Sequence, residues 1–277
     1  MIDSDLNQQR SWRTRVMELW RNNMFRSSRA ARRRRYQQML KAGTASERFT
    51  EIYQHNLWND QESVSGSGSS LDTTRTVRAK LPELIRQHQI KHFLDAPCGD
   101  FNWMRSVMSQ LPDVRYTGGD IVTELIEQNQ QQEIASNISF VSLDICRDSL
   151  PSADLMMVRD CLFHLSYDDI FAFFHNLSNS DIPLLLTSSH HIENQKIQNR
   201  DIVSGDFRPI DLFAEPFCFP TDALHQFDDS DELTIGKRMY LFRVPELISY
   251  LNQHSKTFVQ SGALTSHGAQ KERSRKP

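Results

Sequence analysis

The spacing of apolar positions changes near residue 90. Upstream, Trp12, Val16, Leu19 and Trp20 recur at helical intervals within residues 10–41, and residues 47–58 and 71–89 also fit helices. Ser70 or Asp72 is the candidate N-cap of the last of these. Downstream, short apolar runs alternate with amphipathic segments. Strands are predicted over 92–96, 115–120, 138–144, 154–160 and 182–188, and helices over 101–110, 122–133 and 167–177. Five strands alternating with helices predict an α/β fold built on a parallel, doubly wound sheet. Residues 190–235 interrupt the rhythm with Pro209, Pro216 and Pro220, the aromatics Phe207, Phe213, Phe217 and Phe219, and an acidic stretch at Asp228, Asp229, Asp231 and Glu232. A non-periodic insertion of this length in a compact domain suggests a functional segment. A strand over 238–244, a helix over 245–253 and a possible last strand over 257–263 follow, before a polar tail.

Charge divides the chain differently from hydropathy. Residues 1–48 carry twelve Lys and Arg, including Arg32, Arg33, Arg34 and Arg35, against four acids, so the remainder of a chain of net charge -3 is strongly acidic. Such an arm suits an anionic polymer or membrane surface, or a solvated helix. The Gly/Ser run over 63–70 is either a flexible linker or a lid whose N–H groups and hydroxyls close over a ligand; its place just before the sheet favours the lid. The organisation expected is a basic, partly helical arm (1–46), a helical lid or linker (47–89), a ligand-binding domain (90–264) with its 190–235 insertion, and a loose tail (265–277). No apolar run is long enough for a membrane span, the N-terminal residues lack a signal-peptide core, and Cys98, Cys146, Cys161 and Cys218 form no C-x-x-C pair. A cytoplasmic protein without structural zinc is the expectation.

Candidate chemistry sits where the predicted strands end. Asp95, Asp120, Asp144 and Asp160 each close an apolar run, and Ser188, Ser189 and His190 close the fifth. In a doubly wound sheet these ends line the ligand crevice. The first loop, Asp95-Ala96-Pro97-Cys98-Gly99-Asp100, has one glycine that lets the backbone approach a neighbour closely. It lacks both the G-x-G-x-x-G fingerprint and a P-loop Gly-Lys-Ser/Thr. Its flanking carboxylates suit a ligand carrying an ammonium and a sulfonium better than a pyrophosphate.

This loop resembles motif I of the class I S-adenosyl-L-methionine (SAM)-dependent methyltransferases, in the D-x-P-C-G variant, and residues 91–189 resemble that family's core in order and spacing. The resemblance implies a mostly parallel, seven-stranded, Rossmann-like sheet with an N-terminal helical extension, and SAM as cofactor. By it, Asp95 and Gly99 line the methionine part, Asp120 takes the two ribose hydroxyls, Asp144 with Ile145 sits at the adenine edge, Arg159 belongs to the segment facing the methyl group, and Pro97, Trp103 and Ile121 are further cofactor-binding residues. The chain departs from the common family pattern at Pro97 and Phe101, where glycines are frequent. It is also similar to a little-characterised bacterial group of that class in Trp58, Glu62 to Gly66, Gly68-Ser69, the run Asp95 to Trp103, Arg159-Asp160 with His164, and Gly205 to Leu212.

Methyl transfer to a hydroxyl requires a base, for which Asp160, His164, His190 and the adjacent His191 are the candidates. No H-x-x-x-H or carboxylate triad completes a metal site. Arg208 and Asp211, with Trp58 and Ser65, are the candidate acceptor-binding residues, Arg208 because a guanidinium pairs with carboxylate or phosphate. The acceptor expected is an O or N atom of a small molecule or glycan unit. The alternatives are a nucleic-acid methyltransferase gripping phosphates with the basic arm, and a non-catalytic SAM-fold binding protein.

Overall fold

The computed structural model describes residues 30–41, 43–132, 135–191, 197–230 and 236–261. The chain divides into two compact units, Met1–Gly43 and Thr44–Pro277. In the first, residues 30–39 are helical, and Arg33, Arg34 and Arg35 are exposed on that helix. The remainder of the helix expected over 10–41 lies outside the described residues, as does the tail.

The second unit carries the expected sheet. Its strands are β1 (His92–Asp95), β2 (Arg115–Asp120), β3 (Ile138–Ser142), β4 (Leu155–Val158), β5 (Leu184–His190), β6 (His225–Asp228) and β7 (Lys237–Arg243). They lie in the order β3-β2-β1-β4-β5-β7-β6. The first five run parallel, whereas β7 is antiparallel to both β5 and β6. Alternate side chains supply two cores. Leu94, Met156 and Leu185 enter one, whereas Phe93, Leu155, Met157 and Leu186 enter the other. A sheet apolar on both faces needs helices on both, which is why these strands read as continuous apolar runs.

The helices are α1 (Ala45–Gln54), α2 (Arg75–Gln87), α3 (Met104–Met108), α4 (Thr123–Gln130), α5 (Tyr167–Ser178) and α6 (Val244–His254). Thr44 and Glu47 form a capping box at α1, each side chain accepting from the other's backbone N–H. Ser166 caps α5 by accepting from the Asp169 N–H. Five buried apolar residues, Ile170, Phe171, Phe173, Phe174 and Leu177, fix α5 against the sheet.

Four sequence expectations need correction. Thr74, not Ser70 or Asp72, is the N-cap residue of α2. Asp72 instead pairs with Arg75, and Ser70 Oγ accepts from the Thr73 N–H. The helix expected over 101–110 shrinks to α3, because Phe101 adopts φ +59° and packs against Tyr116 and Phe140. The possible last strand over 257–263 is helical over 256–261, with Phe258 buried and stacked on His175. The 190–235 insertion does not stand outside the α/β body: Ile210, Leu212, Phe217 and Phe219 belong to the core, and β6 forms the sheet edge.

Candidate active site

The strand order reverses between β1 and β4, and a cleft opens there at the carboxyl ends of the strands. It gathers the ends of β1, β2, β3 and β4 at Asp95, Asp120, Asp144 and Asp160. Pro97, Gly99 and Trp103 from the first loop, Ile121 and Ile145 from the next two, and Arg159 also line it. Trp58, Ser65 and Ser69 line it as well, with Ala45, Phe49 and Tyr53 from α1.

The Gly/Ser segment is latched to the first loop. Asp100 Oδ2 accepts from Ser63 Oγ at 2.8 Å and from the Val64 N–H at 3.1 Å, and Asp100 N–H donates to Ser65 Oγ at 3.0 Å. Asn102 Nδ2 donates to Glu62 Oε1 and to the Ser69 carbonyl. The expected flexible-linker alternative gives way to an ordered loop containing one short 3₁₀ turn, Ser67–Ser69. Gly99 has φ +57°, and a Cβ there would collide with Ser65 Oγ. The close approach that Gly99 permits is therefore to the Gly/Ser loop.

The first two strand-end carboxylates are buried. Asp120 accepts from the N–H groups of Gly99 at 3.1 Å and Val122 at 3.0 Å, and burial still pushes it up to about 6. Asp95 accepts from the Tyr116 hydroxyl at 2.8 Å. Burial raises it to about 7 against the opposing pull of that hydrogen bond and of Arg159. Asp144 is half-buried; it accepts from the Cys146 N–H and from Arg147. Val122, Leu125 and Leu143 give this end of the cleft an apolar lining between Asp120 and Asp144.

At the end of β4 the cleft wall is ionic. Asp160 has φ +52°, and Lys237 Nζ lies 2.9 and 2.8 Å from its Oδ1 and Oδ2. Arg159 Nε donates to Asp229 Oδ2 at 2.8 Å, and its second nitrogen donates to the Gly68 carbonyl, also at 2.8 Å. Lys237 and Asp229 are 3.3 Å apart. Burial alone would raise the Asp160 carboxyl; Arg159 and Lys237 outweigh it and hold the group below its ordinary value. A carboxylate held by two cations is a weak proton acceptor, which removes Asp160 from the candidate bases.

His164 lies in the 3₁₀ turn Leu162–His164 and lines the cleft. Its Nδ1 is 2.8 Å from the Asp206 carbonyl, which can only accept, so the proton is on Nδ1 and Nε2 carries the lone pair. Nε2 has no hydrogen-bond partner among the described residues. Burial lowers the pKa of the ring, keeping it neutral. Trp58 and Phe207 flank it, at 5.3 and 5.7 Å between ring centroids.

Four sequence candidates fall outside the cleft lining. His190 is buried, with its Nδ1 accepting from the Ile210 N–H, because β5 carries it beneath the loop over 205–212. His191 donates its N–H to the Gly236 carbonyl. Arg208 is buried behind the His164 turn, donating to the Leu162 carbonyl and lying over the Tyr167 ring. Asp211 accepts from the Phe213 N–H in its own turn. Conversely, Lys237 and Asp229 went unforeseen. Their one sequence signal is a lysine opening the apolar run Met239–Phe242 and an acid just after β6. Among the described residues no cluster of three His, Cys, Asp or Glu could hold a metal, and no helix is long and apolar enough to cross a membrane. All four cysteines are free.

No protein-family model matches this chain, and no curated protein does. Solved structures do match. The N-methyltransferase NodS from Bradyrhizobium japonicum WM9, in complex with S-adenosyl-L-homocysteine (SAH), is 16% identical with a TM-score of 0.49, over 69% of this chain and 97% of that one. PigF with SAH is 13% identical with a TM-score of 0.48, over 72% and 58% of the respective chains. Human N-acetylserotonin methyltransferase in complex with SAM is 13% identical with a TM-score of 0.45, over 72% and 69%. At these values the likeness assigns no activity to this chain.

Proposed function

We propose that the protein is a SAM-dependent methyltransferase acting on an O or N atom of a small molecule or glycan-type acceptor. The observation that carries this reading is the convergence of the β1, β2 and β3 carboxylates on one cleft at the sheet's switch point, beneath a latched Gly/Ser loop. The donor set fits the cofactor. Once ionised, Asp95 and Asp120 only accept hydrogen bonds and match an ammonium and a pair of ribose hydroxyls, and the apolar stretch between Asp120 and Asp144 matches a flat adenine. Gly99, Pro97 and Trp103 shape the methionine end, Ile121 and Ile145 the adenine end, and Arg159 closes the wall.

Bound SAM supplies an electrophilic methyl group on a sulfonium. The protein's part is alignment, which can supply ~7–11 kcal/mol of barrier lowering, and removal of a proton from the acceptor. Nε2 of His164 takes that proton. The ionised Asp160 nearby favours the imidazolium that results. Trp58, with Phe49 and Tyr53 on α1, gives the cleft an aromatic lining suited to an uncharged acceptor. The cations that line the cleft, Arg147 and Arg159, are already paired with carboxylates.

Calorimetry with SAM and SAH on the wild type and on Asp120→Ala tests the reading. Micromolar or tighter binding that weakens in the variant supports it, whereas a wild type that binds neither ligand overturns it. Transfer of labelled methyl to a metabolite panel then identifies the acceptor.

A further inference from the structure

Four charged side chains are buried together behind the cleft. Lys237 and Asp229 are fully buried, Arg159 nearly so, and Asp160 exposes 18% of its side chain. Removing such groups from water costs several kcal/mol per ion, and well-packed apolar replacements often serve stability as well or better. Stability alone therefore does not account for the cluster. Its geometry suggests another role. Lys237 and Asp229 come from the antiparallel edge of the sheet and do not line the cleft. Arg159 and Asp160 do line it, and both touch the Gly/Ser loop. Arg159 donates to the Gly68 carbonyl, and a Cβ on Gly68 would lie only 2.6 Å from Asp160 Oδ2.

We propose that Lys237 and Asp229 are positioning residues of the cleft: from the sheet edge they seat Asp160 and Arg159, and those two hold the 63–70 loop over the site. The loop then has two anchors. One is its contact with Asp100 and Asn102 at the first loop, and the other is this ionic bridge to β7. Asp229 fixes the guanidinium through Nε, leaving its other edge directed at the Gly68 carbonyl. Lys237 engages both Asp160 oxygens, so the carboxylate cannot swing away from Gly68. Without these two seats the Gly68 turn loses its ionic anchor, while the Ser63 end stays attached through Asp100 and Ser69 keeps its bond from Asn102. The inference rests on the methyltransferase reading only for its bearing on cofactor affinity; loop retention is independent of it.

Hydrogen exchange read by mass spectrometry on the full chain tests this, with Asp229→Asn, Lys237→Met and the charge-balanced double variant, each also titrated with SAH. We expect amides over 66–70 to exchange about tenfold faster or more, while those of β1 keep their wild-type rates. SAH affinity should fall about tenfold. Gly68→Ala leaves the cluster's own residues intact and should release the same amides, which keeps the test decisive where a buried-charge variant does not fold. Unchanged exchange over 66–70 in any folded variant of the cluster overturns the proposal. If exchange rises as expected but wild type binds no SAH, the positioning role stands and the methyltransferase reading fails.

Discussion

The Nδ1–H of His164 donates to the main-chain carbonyl of Asp206 across 2.8 Å, and this one bond decides which nitrogen of the ring can act as a base. The bond sets the tautomer, burial keeps the ring neutral, and Nε2 is left to accept a proton.

Replacing His164 with Gln should therefore lower the methyl-transfer rate by about 10²–10⁴-fold, the usual contribution of a general base. SAH affinity should stay within about threefold of wild type, a difference below about 1 kcal/mol. Because burial places the His164 pKa below the ordinary value of about 6.5, the rate should be flat at and above neutral pH. It should decline only as pH falls through that depressed value. A pH–rate profile on the identified acceptor checks both points, and an unaffected His164→Gln rate would remove the base from His164.

Asp120 and Asp95 make cofactor affinity depend on pH near neutrality, where carboxylates of ordinary pKa are already fully ionised. Their folded pKa values, about 6 and about 7, lie above the unfolded ones, so between about pH 4 and 7 the folded protein binds more protons and these groups cost stability as pH rises. A ligand that donates hydrogen bonds to the carboxylates favours the ionised form. SAH binding should thus release protons near pH 6–7 and weaken as pH falls from 8 to 6. Calorimetry in two buffers of different ionisation enthalpy measures the proton count directly; a count of zero at pH 6.5 contradicts the assignment.

Gly99→Ala meets two penalties. A left-handed φ costs a non-glycine residue about 1–2 kcal/mol, and the new methyl collides with Ser65 Oγ. Urea unfolding should show a loss at or above that range. Adding Ser65→Gly should recover the collision part and leave the φ part, so the two changes should be non-additive. Strict additivity in the double-mutant cycle would mean that the loop does not pack on Gly99 in solution.

The exposed arginines of the N-terminal helix separate the two acceptor readings. In the full chain, changing Arg33, Arg34 and Arg35 to Gln should leave SAH affinity and methylation of a small acceptor unchanged. Were a nucleic acid the acceptor, its binding should weaken with each loss, and the salt dependence of log K should flatten by about 0.7–0.9 for every phosphate contact removed. Filter binding to RNA and duplex DNA over a salt series distinguishes these outcomes.

The sequence by itself determined the strands and the places where they end. A strand buried on both faces must be a short apolar run, and a polar residue that closes it must sit at the ligand edge; Asp95, Asp120, Asp144 and Asp160 were legible for that reason. His164 was legible as a candidate, though not as the survivor among four. What lay beyond reach was every choice made by partners distant along the chain. Nothing near Asp160 indicates that Lys237, 77 positions away, turns it from a possible base into a fixed charge, or that Asp229, 70 positions from Arg159, fixes that guanidinium. His190 and Arg208 carry the right chemistry for a site, yet the loop over 205–212 covers the first and the His164 turn takes the second. The helix over 256–261 forms where a strand was expected because Phe258 stacks on His175, a contact no local propensity encodes. Local pattern fixes what a segment can become and which face it buries. Burial and long-range pairing, known only once the sheet is assembled, decide which polar groups are left free to do chemistry.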